Sequence, residues 1–414
     1  MKGWKKSELG DIAAINYGYT AKASFEEVGP KFLRITDIQN DSVDWSSVPH
    51  CPIDEADFKK HKLYDQDIVF ARTGATTGKS YLVCDPPESV AASYLIRLRV
   101  EDSGVLARFV SKYFQTREYW DSVTSGISGS AQGGFNASKL SAMVIPTPPI
   151  AEQKRIVAIL DEAFEGIDSA IANTEKNLAN ARELFESYLN AVFVRKGNEW
   201  EWASLSDITT DITDGDHQPP PKTKSGIPFI TISNIDKQNR TIDFSDTFKV
   251  PPEYFSNLKE NRKPRRGDVL YTVTGSYAIP VVVDHDMEFC FQRHIGLIRP
   301  DAETNPKCLY YMLLSRHLLQ QAHECATGTA QKTVSLRALR KFSVPRIPKK
   351  EQDLIVKDLE GFEKQIKRLE AIYEQKLAAL NELKQSILQR AFSGELTAEV
   401  GDAAVEGAKE VVAA

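Results

Sequence analysis

The sequence predicts an α/β (α+β) protein built as an internal repeat, with two similar mixed domains each closed by one long helix. Three observations predict it. The chain matches itself when shifted by about 200 residues. Each copy opens with strand-like runs separated by turn clusters. Each copy ends with a proline-bounded amphipathic stretch about 40 residues long that contains no proline.

The matches run in order along the 414 residues. Trp4 and LGDI (Leu9–Ile12) correspond to Trp200 and LSDI (Leu205–Ile208). FLRITDI (Phe32–Ile38) corresponds to FITISNI (Phe229–Ile235), and DIVFARTG (Asp67–Gly74) to DVLYTVTG (Asp268–Gly275). GSAQ (Gly129–Gln132) then matches GTAQ (Gly328–Gln331), and IPTPPIAEQKRIVAIL (Ile145–Leu160) matches VPRIPKKEQDLIVKDL (Val344–Leu359). These last two pairs share one offset of 199 residues.

Within each copy, DIVFA, SYLIRLRV, PFITI and DVLYTV are rich in β-branched and aromatic residues and read as strands. Clusters such as NDSVD and DGDHQPPP read as turns. A shorter helical stretch lies late in each copy, at Leu106–Trp120 and Lys307–Glu324. Pro148 and Pro149 then precede one long helix (Ala151–Phe193), and Pro345 and Pro348 precede the other (Lys350–Phe392).

The first long helix carries apolar or small residues at Ile156, Leu160, Ala163, Ile167, Ala170, Thr174, Leu178, Ala181, Phe185, Tyr188 and Val192. The steps alternate between four and three, with one doubled four at Thr174. This is a heptad seam with one stutter. The second helix repeats it at Ile355, Leu359, Phe362, Ile366, Leu369, Tyr373, Leu377, Leu380, Lys384, Ile387 and Ala391. Its stutter falls at the equivalent place, Tyr373 to Leu377, and only Lys384 breaks the seam. Two helices with matched defects are expected to pack on each other. The Ala/Val/Glu/Gly-rich tail, Thr397–Ala414, has no seam and reads as mobile or weakly helical.

Composition narrows the class. Hydrophobic residues make up 42%, enough for packed cores. No signal peptide is seen at the start, and no run approaches the ~18 apolar residues of a membrane helix. A soluble, cytoplasmic protein without membrane partners is expected. The five cysteines are irregularly spaced, with no CxxC pair, which argues against a disulfide framework or structural zinc. The net charge of −5 counts against a DNA binder that acts alone. Basic residues nevertheless cluster at Lys59–Lys62 and Arg262–Arg266.

PPIAEQKRIVAIL before a heptad helix, and LKQSILQRAFSGELT at the end, resemble the central and C-terminal conserved regions of type I restriction–modification specificity subunits. The resemblance covers nearly the whole chain, although IPKKEQ (Ile347–Gln352) replaces PPIAEQ in the second copy. It implies target-recognition domains at 1–149 and 197–347, spacer helices at 150–196 and 348–396, and a mobile tail at 397–414. It further implies an antiparallel coiled-coil helix pair, pseudo-twofold symmetry, and one half of a split double-stranded DNA site read by each domain. The implied partners are two modification (methyltransferase) subunits and restriction (helicase-nuclease) subunits. S-adenosylmethionine, ATP and Mg²⁺ would act on those partners, with no cofactor or metal on this chain. Glu152, Arg155, Glu351 and Lys357 would lie near the recognition domains.

Catalytic motifs fail on inspection. GATTGKS (Gly74–Ser80) has three residues between its glycines where a P-loop needs four. DEAF (Asp161–Phe164) sits within a heptad helix, so Asp161, Glu162 and Glu165 read as a solvated or partner-facing side. The seven histidines form no HExxH pattern. No catalytic residue is assigned.

Candidates for DNA contact are polar residues on turns that recur in both copies. In the first domain they are Tyr19, Thr20, Lys22, Arg72, Thr73, Thr76, Thr77, Lys79, Ser130 and Gln132. In the second they are His217, Gln218, Lys222, Lys224, Thr274, Ser276, Tyr277, Thr329, Gln331 and Lys332. Other readings stay open: a duplicated coiled-coil adaptor that does not bind DNA, a recognition subunit of a related defence system, and a nucleotide enzyme using Gly74–Ser80.

Overall fold

The computed structural model describes residues 4–39, 41–128, 134–196, 200–217, 220–329 and 331–397. The chain divides into two compact units that cut across the sequence repeat. One holds Met1–Glu175 with Gln375–Ala414, the other Lys176–Glu374. Both cuts fall in the seam stutters, just after Thr174 and Tyr373.

At the centre of the first unit is a four-stranded antiparallel sheet in the order Ala13–Tyr17, Leu95–Val100, Ile68–Ala71, Ser80–Leu82. Successive side chains on a strand point to opposite faces. Ile68, Phe70, Ile96 and Leu98 therefore enter a core shared with the helices, while Val69, Ala71 and Leu95 enter a second core with Leu33, Leu63 and Val83. Burial on both faces explains why IVFA is continuously apolar rather than alternating. The second unit repeats this sheet as Thr209–Asp214, Ile295–Pro300, Val269–Thr272, Pro280–Val282. A short antiparallel pair closes each domain, Lys5–Glu8 with Val144–Thr147 and Glu201–Ser204 with Ser343–Arg346.

The shorter helical stretches are each broken in two, at Ala107–Tyr113 and Arg117–Ser128, and at Pro306–Leu314 and Arg316–Cys325. The breaks fall at Thr116 and Ser315, whose hydroxyls donate to carbonyls three residues back at 2.7 and 2.6 Å. The Thr116 hydroxyl also accepts from Tyr119 N–H at 3.2 Å. Such side chains compete with the helix backbone, so apolar periodicity alone ran the two pieces together.

The long helices span Ile150–Lys196 and Lys349–Phe392. Contacts within each unit fix their direction. In the first, Lys384 pairs with Asp168 at 2.8 Å, and the Thr397 hydroxyl bonds Glu152. In the second, Arg182 pairs with Glu370 at 3.1 Å, and the Tyr188 hydroxyl donates to Asp358 at 2.6 Å. Partners descend in number as the first helix ascends, so the segments are antiparallel in both units.

Residues of the predicted seam lie on the inner side of the helices, and Phe164, Leu189 and Leu388 beside them are buried as well. Ile156, Leu160, Ile167, Ile355, Leu359 and Ile366 are buried, and Leu178, Phe185, Phe362 and Leu377 are half-buried. Lys384 keeps its place on the seam because its ammonium lies 4.6 Å from the Phe164 ring centroid as well as on Asp168. Asp161 is not a free solvated carboxylate: Arg108 and Lys112 both reach it at 2.8 Å.

One side chain in each repeat joins domain to helix. Gln153 is fully buried. Its carbonyl accepts from Leu106 N–H at 2.9 Å, and its amide donates to Gly104 O and Pro148 O at 2.8 Å each. Gln352, 3% exposed, repeats this with Asn305 N–H at 2.6 Å, Glu303 O at 2.9 Å and Ile347 O at 2.7 Å.

Two outcomes are expected. Ile167→Asp places an unpaired charge in the core and should cost several kcal/mol, roughly 3–5, whereas Lys384→Leu should change stability by less than about 1 kcal/mol. Denaturant unfolding of both variants checks this, and equal losses would misplace the seam. Gln153→Leu should cost about 1–3 kcal/mol through orphaned polar groups. It should also speed hydrogen exchange at the Leu106 amide while leaving the Asn305 amide protected.

Candidate nucleic-acid interface

In both domains the sequence candidates converge on one end of the four-stranded sheet. The strand Ile68–Ala71 runs into the turn Gly74–Thr76, and Val269–Thr272 into the turn at Gly275. Gly74 and Gly275 adopt positive φ of 76° and 74°, a conformation glycine tolerates best. The loop that follows the second short helix lies against this turn. Phe135 N–H donates to Arg72 O at 2.9 Å, and Val334 N–H donates to Val273 O at 2.8 Å, at equivalent places. In the second domain Gly275 N–H also donates to Lys332 O at 2.9 Å, and the Thr333 hydroxyl donates to Thr274 Oγ1 at 3.3 Å.

These bonds bring Arg72, Thr73, Thr76 and Lys79 to one turn. They also bring Thr274, Ser276 and Tyr277 together with Thr329, Gln331 and Lys332. Thr73, Lys79, Thr329, Gln331 and Lys332 are exposed. Tyr277 shares a 2.8 Å hydrogen bond with His323 Nδ1. Thr77 is turned inward, with 7% exposure, and donates to Gly74 O at 2.7 Å, so it locks the turn from inside. Ser130, Gln132 and Gln218 lie outside the described residues.

The remaining described candidates lie on segments that precede these turns in the sequence. Tyr19 and exposed Thr20 and Lys22 follow the first sheet strand. The Tyr19 ring sits 5.4 Å from His61, and loss of hydration followed by the charge of Asp57 raises its phenol above the ordinary value. His217 is exposed and reaches Asp214 at 2.9 Å. The Lys222 ammonium lies 4.7 Å from the Phe248 ring centroid, and Lys224 is exposed.

The two basic runs are largely committed internally. Lys59 pairs with Glu55, Lys62 with Glu88, Lys263 and Arg265 with Glu260, Arg266 with Asp286, and Arg262 with Asp214. Their backbone carbonyls also hold buried arginines. Arg97 donates to Lys60 O and Lys62 O, each at 3.1 Å. Loss of hydration lowers this guanidinium's pKa.

Sequence reasoning missed a repeated ion pair behind this framework. Arg99 grips Asp67 with two 2.7 Å bonds, and Arg299 grips Asp268 at 2.9 and 2.8 Å. The bonded carboxylate holds each guanidinium above its ordinary pKa. Asp67 and Asp268 also accept from the backbone N–H three residues earlier, at 2.9 and 2.8 Å. The signal was present: both aspartates lie in the matched DIVFARTG and DVLYTVTG runs.

GATTGKS is followed by the strand Ser80–Leu82, not by a helix whose N-terminus could hold phosphate. Among the described residues no group of three or more His, Cys, Asp and Glu is arranged to hold a metal ion. No helix among them is long and apolar enough to cross a membrane.

Fold and site together define a duplicated binding protein, with two domains of one outline presenting different side chains at the same sheet end. The chain belongs to the family of the type I restriction modification DNA specificity domain, whose pattern it matches at residues 1–180 and again at 198–378. It is 23% identical to the specificity subunit of the type I restriction enzyme EcoBI of Escherichia coli, over 96% of this chain and 87% of that one. The EcoKI specificity subunit of Escherichia coli strain K12 is 24% identical over 96% and 90%. Among solved structures, a chain from work on assembly and conformational transition of the type I R-M system aligns with a TM-score of 0.75. It is 19% identical, over 96% of this chain and 99% of that one. The HsdS subunit of Thermoanaerobacter tengcongensis aligns at 0.50 and 19% identity, over 95% and 98%.

Thr77→Val should cost about 0.5–1.5 kcal/mol, the worth of one internal hydrogen bond. Thr73→Val, at an exposed position, should leave stability unchanged within about 0.5 kcal/mol. Melting curves of the two variants check this difference.

Proposed function

We propose that this chain is the DNA sequence-specificity subunit of a type I restriction–modification complex and carries no catalytic centre. Each domain reads one half of a bipartite site in double-stranded DNA. The long helices set the spacing between the readers and dock two modification subunits, directing adenine methylation and, with restriction subunits, cleavage. S-adenosylmethionine, ATP and Mg²⁺ act on those partners, in the cytoplasm. Residues 1–149 and 197–347 are the recognition domains, 150–196 and 348–396 the spacer helices, and 397–414 the tail.

One observation carries the reading. The same sheet end in both domains is built from a positive-φ glycine turn held against a following loop, yet its side chains differ. Arg72 stands where the other domain has Val273. A duplicated scaffold with unlike tips suits two readers of unlike sequence. The acidic balance of the chain fits a reader that borrows phosphate contacts from its partners.

The test is a domain exchange. Replacing residues 1–149 with the matching domain of a relative should change one half of the methylated site and leave the other half as it was. Genome-wide mapping of methylated sites reads this directly. Two halves that change together would refute independent reading. Failure of the purified complex to bind any duplex with a steep salt dependence would favour the adaptor reading instead.

A further inference from the structure

Arg72 differs from the other arginines around the first sheet. Arg34 pairs with Asp37, Arg99 with Asp67 and Arg108 with Asp161, and Arg97 is buried on two carbonyls. Among the described residues no carboxylate pairs with Arg72. Its guanidinium lies 4.8 Å from the Tyr17 ring centroid. The Tyr17 hydroxyl accepts from Ala137 N–H at 3.2 Å, which fixes the ring. The Arg72 backbone is held on both sides: its N–H donates to Tyr94 O at 3.1 Å, and its carbonyl accepts from Phe135 N–H at 2.9 Å.

The fold itself does not need this guanidinium. In the second domain the equivalent residue is Val273, 4% exposed, with the same backbone bond from Val334. The counterpart of Tyr17 is Asp214. Tyr17 pairs across the sheet with Ile96 opposite Phe70, as Asp214 pairs with Gly296 opposite Tyr271. Both the arginine and its aromatic support are therefore particular to the first reader.

We propose that Arg72 reads a guanine in the half-site of the first domain, with Tyr17 positioning its guanidinium plane. The inference rests on the DNA-reading function proposed above. A bidentate contact to guanine O6 and N7 needs a fork fixed in plane and free of internal carboxylates. The cation–π contact with a ring that is itself held restrains the guanidinium, and the lack of a paired carboxylate among the described residues supplies the second condition. A phosphate contact needs neither, and exposed Lys79 and Thr73 on the same turn are better suited to it.

The experiment uses the full complex of this chain with its modification subunits on a duplex carrying the mapped site. Each guanine is replaced in turn by 7-deazaguanine, which lacks the N7 acceptor. Wild-type binding should weaken roughly tenfold or more at one guanine in one half-site. That replacement should have no further effect on Arg72→Ala, whose own loss is confined to the same half-site. Should Arg72→Ala fail to assemble, Arg72→Lys, which keeps the charge and loses the fork, is scanned instead. The proposal is overturned if no guanine couples to residue 72, or if the variant weakens every sequence uniformly as a phosphate contact would. Absence of specific binding by the wild-type complex would instead remove the DNA-reading function itself, a distinguishable result.

Discussion

The structure turns on a buried glutamine used twice. A recognition domain that pivoted on its helix would present its turn at no fixed angle, so the joint must be stiff. Gln153 and Gln352 supply that stiffness by satisfying one N–H and two carbonyls each, where the chain leaves the domain and begins the helix. Buried backbone groups left unpaired are costly, so the joint opens only by orphaning several at once. Arg108 and Lys112 on Asp161, and Lys307 on Glu360, add a second tether about two turns further along each helix.

A stiff joint lets the variable parts vary. Behind the glycine turn of each domain lies a constant set: the aspartate–arginine pair, the positive-φ glycine and the loop bond to the residue before the turn. The aspartates of this set are buried and bonded to their arginines, so they serve the support. The residues left over, such as Arg72 with Tyr17 on one side and Asp214 with His217 on the other, differ between the copies. Constancy of the support and divergence of the tip are two consequences of one division of labour.

Much of this was legible in the sequence. The 199-residue offset was recoverable from the matched runs, the strands IVFA and VLYT from their β-branched and aromatic content, and the long helices from their heptad steps. The broken short helices were not, since a Thr116 or Ser315 hydroxyl that turns on its own backbone leaves no periodic trace. Nor was the role of Gln153. In the sequence it is one polar residue among several at a helix start, and only the fold shows that it points inward. The internal pairing of the basic runs was not legible either: charge counts do not reveal that Glu260 or Asp286 will fold back onto them.

The units also show why repeat and fold differ. The Phe392 ring packs tilted against Phe109 and edge-on to Tyr113, and Leu396 is buried in the same core as Leu9 and Ile156. The first recognition domain is thus completed by residues from the far end of the chain. In the second unit, Leu189 and Phe193 from the first long helix pack with Met312 and Leu359. Each domain therefore rests on the opening half of its own helix and the closing half of the other. A heptad seam alone cannot specify that exchange, because either half would bury its stripe equally well. The aromatic end of each helix packs on a short-helix flank in its unit, Phe392 on Phe109 and Tyr113, and Phe193 in one core with Tyr311 and Met312. The stutter sits where each helix passes from serving one domain to serving the other, and a break in heptad phase is tolerated at a point where the packing partner changes.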